Sequence, residues 1–130
     1  MGESAGAGSI VHHITAFGGK QDPLFQRAIL QSAAYQPQYD RAGALEGVFQ
    51  NFTNAAGCAG QGVACLRRAS VDNLANANRL AIQNAVPGTF GFGPGSDGGW
   101  VRQLPVLEFA SGNYWKDLQS LVVTHVSNET

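Results

Sequence analysis

Residues 2–9 of this chain read GESAGAGS, and the first five of them match the pattern G-x-S-x-G. This pattern describes a serine on a sharp turn from a strand into a helix, where the hydroxyl projects clear of the backbone. Strand and helix approach so closely there that side chains at Gly2 and Gly6 would collide, which accounts for both glycines. Ser4 is therefore a candidate nucleophile. The N–H of Ala5 is a candidate oxyanion-hole donor, and one such donor typically contributes roughly 3 kcal/mol of transition-state stabilisation.

The residues around this pattern meet its structural requirements only in part. Apolar residues recur at helical spacing from Ser9 to Phe17, and Gly18-Gly19 is a natural stop for that helix. The strand that should precede Ser4 is not expected, because the chain starts at that point. On the motif alone, a flexible start rich in glycine and serine is therefore an alternative.

Further along the chain, strand candidates alternate with helix candidates. Residues 27–32 and 118–126 have the apolar runs of strands. Within the second run, Leu121-Val122-Val123 is typical of a strand buried on both faces. The remaining segments are a helix capped by Asp40 and ended by Gly57, one or two helices between Cys65 and Ala85 with Ser70 as a cap, an irregular glycine-rich loop over residues 86–99, and an ambiguous segment from Leu104 to Leu107.

This order of elements predicts the α/β class with a mostly parallel sheet. Two strands alone would leave their edges unpaired and their faces uncovered, so they would not form a stable sheet. The chain shows no internal repeat and no linker, and only 13% of its residues are charged. So sparse a charge indicates a chain that packs against something larger. We therefore expect part of a domain rather than a complete one.

Composition and motifs exclude several classes of protein. A hydrophobic share of 44% is typical of a globular chain, and a net charge of −1 leaves no basic patch for nucleic acid. No apolar run is long enough to span a membrane, and the N-terminus lacks the pattern of a signal peptide. Gly18-Gly19-Lys20 is followed by Gln21 where a phosphate-binding loop requires Ser or Thr. No zinc, haem or flavin pattern occurs, so we expect no metal and no cofactor.

Two further features concern the compartment of the protein. Cys58 and Cys65 are the only cysteines, and their spacing fits either a short disulfide loop or two free thiols. Asn51-Phe52-Thr53 and Asn128-Glu129-Thr130 are both acceptor triplets for N-glycosylation, which matter only if the protein is exported. These features indicate a protein that is exported from the cell.

Taken in order, four segments resemble the type-B carboxylesterase/lipase family, which has the α/β-hydrolase fold and includes cholinesterases and fungal lipases. The four segments are residues 2–9 with His12 nearby, residues 25–32 (FQRAILQS), Cys58 with Cys65-Leu66-Arg67, and residues 121–129 (LVVTHVSNE). The resemblance covers the whole chain but only a minor part of a typical family member. It implies that residues 1–130 are a central fragment of a single carboxylesterase domain and lack its N- and C-terminal parts.

The resemblance also implies roles for individual residues. Ser4 would attack the ester carbonyl, and Glu129 would be the triad acid that orients a catalytic histidine and stabilises its cation. Glu3 aligns with a family glutamate that tunes the electrostatics of the active site. Cys58 and Cys65 would form a disulfide. A glycan at Asn51 is a further expectation, whereas one beside Glu129 would be hard to accommodate.

The catalytic base is the residue that this sequence does not supply. A serine of ordinary pKa needs a base, yet His12 lies roughly 12 Å along the helix from Ser4, with His13 beside it. His125 precedes Glu129 within the last strand candidate. The resemblance implies that the family histidine follows the acid, beyond residue 130. We therefore expect a secreted ester hydrolase, an esterase or a lipase, whose isolated 130-residue piece is inactive. The alternative is a non-catalytic cholinesterase-like protein or a truncated pseudo-enzyme.

Overall fold

A computed structural model describes residues 1–34, 38, 40–87 and 89–129 of the chain. Its elements are β1 (Gly2–Glu3), α1 (Ala5–Thr15), a 3₁₀ turn (Ala16–Gly18), β2 (Arg27–Gln31), α2 (Ala44–Ala55), α3 (Gly62–Leu66), α4 (Val71–Gln83), α5 (Pro105–Ala110) and β3 (Ser120–Thr124). The chain divides into two compact units. One comprises Met1–Pro37 with Pro94–Thr130, and the other comprises Gln38–Gly93.

The first unit is built on a parallel three-stranded sheet in the order β1-β2-β3. Glu3 pairs with Gln31, and Gln31 pairs with Thr124, so the carboxyl ends of the three strands meet at one edge. The α/β class and the parallel sheet are confirmed. The expectation that no strand precedes Ser4 was wrong, because Gly2 and Glu3 pair with β2. A strand of two residues has no periodicity of its own, and only its partner defines it.

The core of this unit lies between α1 and β2. Ala7 and Val11 of α1 pack against Ala28 and Leu30, and partly buried side chains complete the cluster, namely Ile10, Phe25 and Phe109. Small residues such as Ala7 on one face of α1 allow the helix to approach the sheet closely. This packing fixes the helix that leads away from Ser4.

Helix α5 is attached to the same unit through a buried carboxylate. Glu108 is only 1% exposed, and its Oε1 lies 3.4 Å from Nε of Arg102. Just beyond α5, the N–H of Trp115 donates to the carbonyl oxygen of Ile14 at 2.9 Å. The segment that was ambiguous in the sequence is therefore a short helix, which begins at Pro105, the first helical position that proline favours.

Strand β3 corrects the prediction of burial on both faces. All five of its residues are exposed, including Leu121, Val122 and Val123 at 41%, 48% and 61%. Among the described residues, β3 lies at the end of the sheet and pairs only with β2. Its apolar run therefore predicts the strand correctly, but no element in the described part of the chain buries it.

The second unit is helical and contains the disulfide. The carboxylate of Asp40 accepts hydrogen bonds from the N–H groups of Gly43 and Ala44, both at 2.9 Å, but the N-cap of α2 is Gly43 and not Asp40, so the predicted cap was wrong by three residues. Ser70 caps α4 by accepting from the N–H of Asn73 at 3.2 Å. Cys58 and Cys65 are joined as the resemblance implied, with their Cα atoms 5.7 Å apart. No helix within the described ranges is long and apolar enough to cross a membrane.

Candidate active site

Ser4 occupies a strained turn between β1 and α1. Its φ of 51° and ψ of −122° lie in a region that residues with a side chain rarely adopt, at a cost of about 1–3 kcal/mol. Three backbone hydrogen bonds hold this conformation. The N–H of Ser4 donates to the carbonyl oxygen of Gln31, and the carbonyl oxygen of Ser4 accepts from the N–H groups of Gly8 and Ala34, all at 3.0 Å. The serine is half-buried and fixed by both neighbouring segments.

The two glycines of the motif differ in their surroundings. A Cβ at Gly2 would lie 2.5 Å from the carbonyl carbon and oxygen of Gly6 and 2.7 Å from the nitrogen of Ala7. Gly2 is thus required by the close approach of strand and helix, as the motif predicts. A Cβ at Gly6 would meet nothing within 4 Å. The expected collision at Gly6 was therefore wrong for the described chain, because this glycine lies on the exposed side of the first turn of α1.

Glu3 and Ala5, the residues on either side of Ser4, both have predicted roles in the active site. Ala5 is the first residue of α1, and its N–H therefore has no carbonyl partner within the helix. The same helix end carries the positive pole of the helix dipole. Glu3 is the last residue of β1 and its side chain is exposed. The oxyanion role of Ala5 and the electrostatic role of Glu3 stay predictions.

Glu129 lies five residues beyond the end of β3, and two donors hold its carboxylate. The hydroxyl of Ser32 donates to Oε1 at 2.8 Å, and the N–H of Val126 donates to the same oxygen at 2.9 Å. These hydrogen bonds favour the charged form. The hydrogen bond from Ser32 and then that from Val126 lower the pKa of Glu129; desolvation opposes them, and the charge of His125 adds a weaker lowering. Glu129 therefore carries its charge at neutral pH.

Ser32 is the residue of this site that the sequence did not reveal. It directly follows β2, has a φ of 45°, and donates its N–H to the carbonyl oxygen of Thr124 at 2.8 Å. Polar residues that follow the strands of a parallel sheet gather at the same edge. The position of Ser32 after a buried strand was therefore an available signal, although a lone serine has no motif to mark it.

The sheet order fixes the spacing of these groups. Ser4 follows β1, Ser32 follows the adjacent β2, and the segment that carries Glu129 follows β3. Neighbouring strands are about 4.8 Å apart, so two spacings of about 9–10 Å in total separate the ends of β1 and β3. The carboxylate of Glu129 reaches back from the β3 side to Ser32, which follows β2, the strand adjacent to the one that carries Ser4.

Two of the three histidines lie on α1, and the third, His125, lies near Glu129. His12 is buried on α1 and stacks on Trp100, with ring centroids 6.0 Å apart, while His13 meets the same indole edge-on at 5.6 Å. Burial, followed by the charge of His13, lowers the pKa of His12. His125 lies just past β3, not within it, and its Nδ1 is 2.8 Å from the carbonyl oxygen of Val126. Within the described residues, no group of three or more side chains could hold a metal ion.

The model of one protein family, described as the carboxylesterase family, matches residues 1–130. The chain belongs to the carboxylesterase family. Among curated carboxylesterase-family relatives, it is 43% identical over 128 residues to the secreted lipase of Arthroderma benhamiae, covering 98% of this chain and 24% of that protein. It is 36% identical over 130 residues to lipase 1 of Geotrichum candidum, covering 89% of this chain and 23% of that protein.

A solved structure supports the same placement of this carboxylesterase-family chain. The crystal structure of EstA from Aspergillus niger matches it with a TM-score of 0.67 and 30% identity, over 87% of this chain and 23% of EstA. The fold described above is thus part of an α/β-hydrolase fold. This carboxylesterase-family chain spans about a quarter of the length of the curated relatives that it matches.

Proposed function

We propose that the protein carrying this chain hydrolyses carboxylic esters through Ser4, and that residues 1–130 are part of a single carboxylesterase domain. One observation carries the proposal. The strained turn at Ser4 opens onto the same edge of the sheet as the doubly hydrogen-bonded carboxylate of Glu129. A serine after β1 and an acid held by the residue that follows the adjacent β2 are the parts of a Ser-His-Glu triad that a histidine completes.

In the proposed reaction, Ser4 is the nucleophile of an elbow turn. Its Oγ attacks the ester carbonyl carbon while a histidine between Ser4 and Glu129 accepts the hydroxyl proton. The carbonyl oxygen becomes an oxyanion that accepts a hydrogen bond from the N–H of Ala5. The C–O bond to the alcohol then breaks as the histidine returns the proton to the leaving oxygen. Water, activated by the same histidine, releases the acid and regenerates Ser4.

Each charged group has a distinct part in this scheme. Glu129, kept ionised by Ser32 and Val126, stabilises the histidine cation that forms in each step. Glu3, exposed beside the serine, adds negative charge at the mouth of the site. We propose that neither His12, stacked on Trp100, nor His125 is the base. Residues 1–130 alone are therefore expected to be inactive.

The class of substrate and the compartment follow from the relatives and from the disulfide. Relatives are named lipases, so the proposed substrates are lipid or small-molecule esters. The disulfide between Cys58 and Cys65 is typical of an oxidising compartment, and one relative is named a secreted lipase. We accordingly propose that the protein is secreted.

A fluorophosphonate probe, which labels activated serines covalently, tests the proposal on the whole secreted protein. Intact mass should show one label on the parent and none on Ser4→Ala. Ser9→Ala is the matched control, because Ser9 lies on the same helix and donates only to the carbonyl oxygen of Ala5 at 2.9 Å. The control should label like the parent. Labelling that persists in Ser4→Ala would refute the assignment of the nucleophile.

A further inference from the structure

One of the two glycosylation triplets lies within the second unit. Asn51, Phe52 and Thr53 fall within α2, and the side chain of Asn51 is exposed. Asn51 thus points where a bulky, polar oligosaccharide can be solvated. The feature that decides how such a group could be attached is the threonine of the triplet.

Thr53 is hidden in the folded chain. It is 1% exposed, and its hydroxyl donates to the carbonyl oxygen of Gln50 at 2.9 Å. The carbonyl oxygen of Thr53 in turn accepts from the N–H of Cys58 at 2.7 Å. The acceptor is the triplet Asn-x-Thr as a unit, so an enzyme must reach the Thr53 hydroxyl as well as the Asn51 amide. In the folded helix the Asn51 amide is accessible, whereas the Thr53 hydroxyl is not.

We propose that Asn51 carries an N-linked oligosaccharide, added before α2 forms. In the transfer, Asn51 Nδ2 bonds to the anomeric carbon of a lipid diphosphate-linked oligosaccharide. The bond from that carbon to the phosphate oxygen breaks, the lipid diphosphate leaves with the electron pair, and Nδ2 loses one proton. This proposal depends on export of the protein and is independent of its ester chemistry.

The disulfide places a second limit on the time available for this transfer. Cys58 follows Thr53 by five residues, and its N–H is bonded to the Thr53 carbonyl oxygen. When Cys58 pairs with Cys65, the end of α2 is held in the geometry that buries Thr53. Disulfide formation and glycosylation therefore compete. The fraction of chains glycosylated at Asn51 reports which of the two occurs first.

The second triplet provides an internal comparison. Asn128 is exposed, but it adjoins Glu129, whose carboxylate is held by Ser32 and Val126. An oligosaccharide there would crowd the edge of the sheet at which the candidate site lies. We expect Asn128 to stay unmodified.

The test uses the whole protein secreted from a eukaryotic host, with peptide mass spectrometry after enzymatic removal of N-glycans, which converts a modified Asn to Asp. Asn51 should be converted and Asn128 should not. The change in gel mobility caused by the glycan should be absent in both Asn51→Gln and Thr53→Val. Thr53→Val tests the triplet itself, because it keeps Asn51. Asn128→Gln should keep it.

The order of events is tested with Cys58→Ser/Cys65→Ser. The fraction of chains glycosylated at Asn51 should be higher in this variant than in the parent. It is measured on all chains in the cell, so that unfolded chains are counted. A secreted protein without a glycan at Asn51, or with one only at Asn128, would overturn the proposed site. A fully glycosylated Thr53→Val would do the same. An unchanged or lower occupancy in the double cysteine variant would overturn the proposed competition.

Discussion

Replacing Gly2 by alanine tests the close approach of strand and helix beside Ser4. The new Cβ would lie 2.5 Å from the carbonyl carbon and oxygen of Gly6, both backbone atoms. Carbon atoms in contact normally stand about 3.5–4.0 Å apart, so the first turn of α1 must move outward by about 1 Å. Overpacking of this kind costs about 1–3 kcal/mol of folding free energy. Because no flexible side chain can give way, we expect the upper end of that range.

The same displacement should also lower the activity. The hydroxyl of Ser4 and the N–H of Ala5 move with the first turn of α1, and a displacement of about 1 Å in a catalytic group can lower the rate roughly 100-fold. The assays are the hydrolysis of a soluble chromogenic ester and thermal unfolding of the same preparation. We expect kcat to fall much more than KM rises, since the damage is to the reacting groups.

Gly6→Ala is the matched control from the other side of the same motif. Its Cβ would meet nothing within 4 Å, and alanine in a helix is favoured over glycine by up to about 1 kcal/mol. This variant should be as stable as the parent, or slightly more so, and remain active. If Gly2→Ala were tolerated while Gly6→Ala abolished activity, the geometry argued here for the turn would be refuted.

Two pH-dependent effects follow from the same unit. Ser32→Ala removes a donor that lowers the pKa of Glu129, so that pKa should rise in an NMR titration of the carboxyl carbon, while Ser120→Ala, at the other end of the sheet, should leave it unchanged. Burial lowers the pKa of His12, so the unfolded chain binds a proton at this ring more readily than the folded chain does. Folding stability is therefore lost as pH falls below the ordinary value of 6.5. The unfolding temperature should therefore drop between about pH 7.5 and pH 5.5, and drop less in His12→Phe, which keeps an aromatic ring beside Trp100. An equal drop in both proteins, or a Glu129 pKa unmoved in Ser32→Ala, would count against these assignments.

Much of the fold could be predicted from local patterns. The helical spacing after Ser9 predicted α1, and the apolar run at residues 27–32 predicted β2, because each element carries its own periodicity. The cap at Ser70 and the turn held by Asp40 before α2 are equally local, since each side chain accepts from an N–H within four residues. Elements of this kind are specified by neighbours in the sequence.

What the sequence could not reveal depends on partners distant along the chain. β1 exists because Gly2 pairs with Leu30, and two residues show no pattern by themselves. The role of Ser32 requires Glu129, which lies 97 positions away. The exposure of Leu121 and its neighbours depends on what covers them, which an apolar run cannot state. Resemblance to a family supplied the candidate pair Ser4 and Glu129. The hydrogen bond from Ser32 to Glu129 was visible only in the folded structure.

The exposed β3 has a consequence for handling any preparation of residues 1–130. Within the described ranges, the edge of β3 opposite β2 has no strand paired with it, along a run that contains Leu121, Val122 and Val123. No proline and no charged residue interrupts Ser120–Thr124 to discourage a second strand from adding there. Strands of this composition template the stacking of identical copies. Aggregation in vitro should therefore begin at this edge, and a lysine at Val122 would be the first substitution to suppress it.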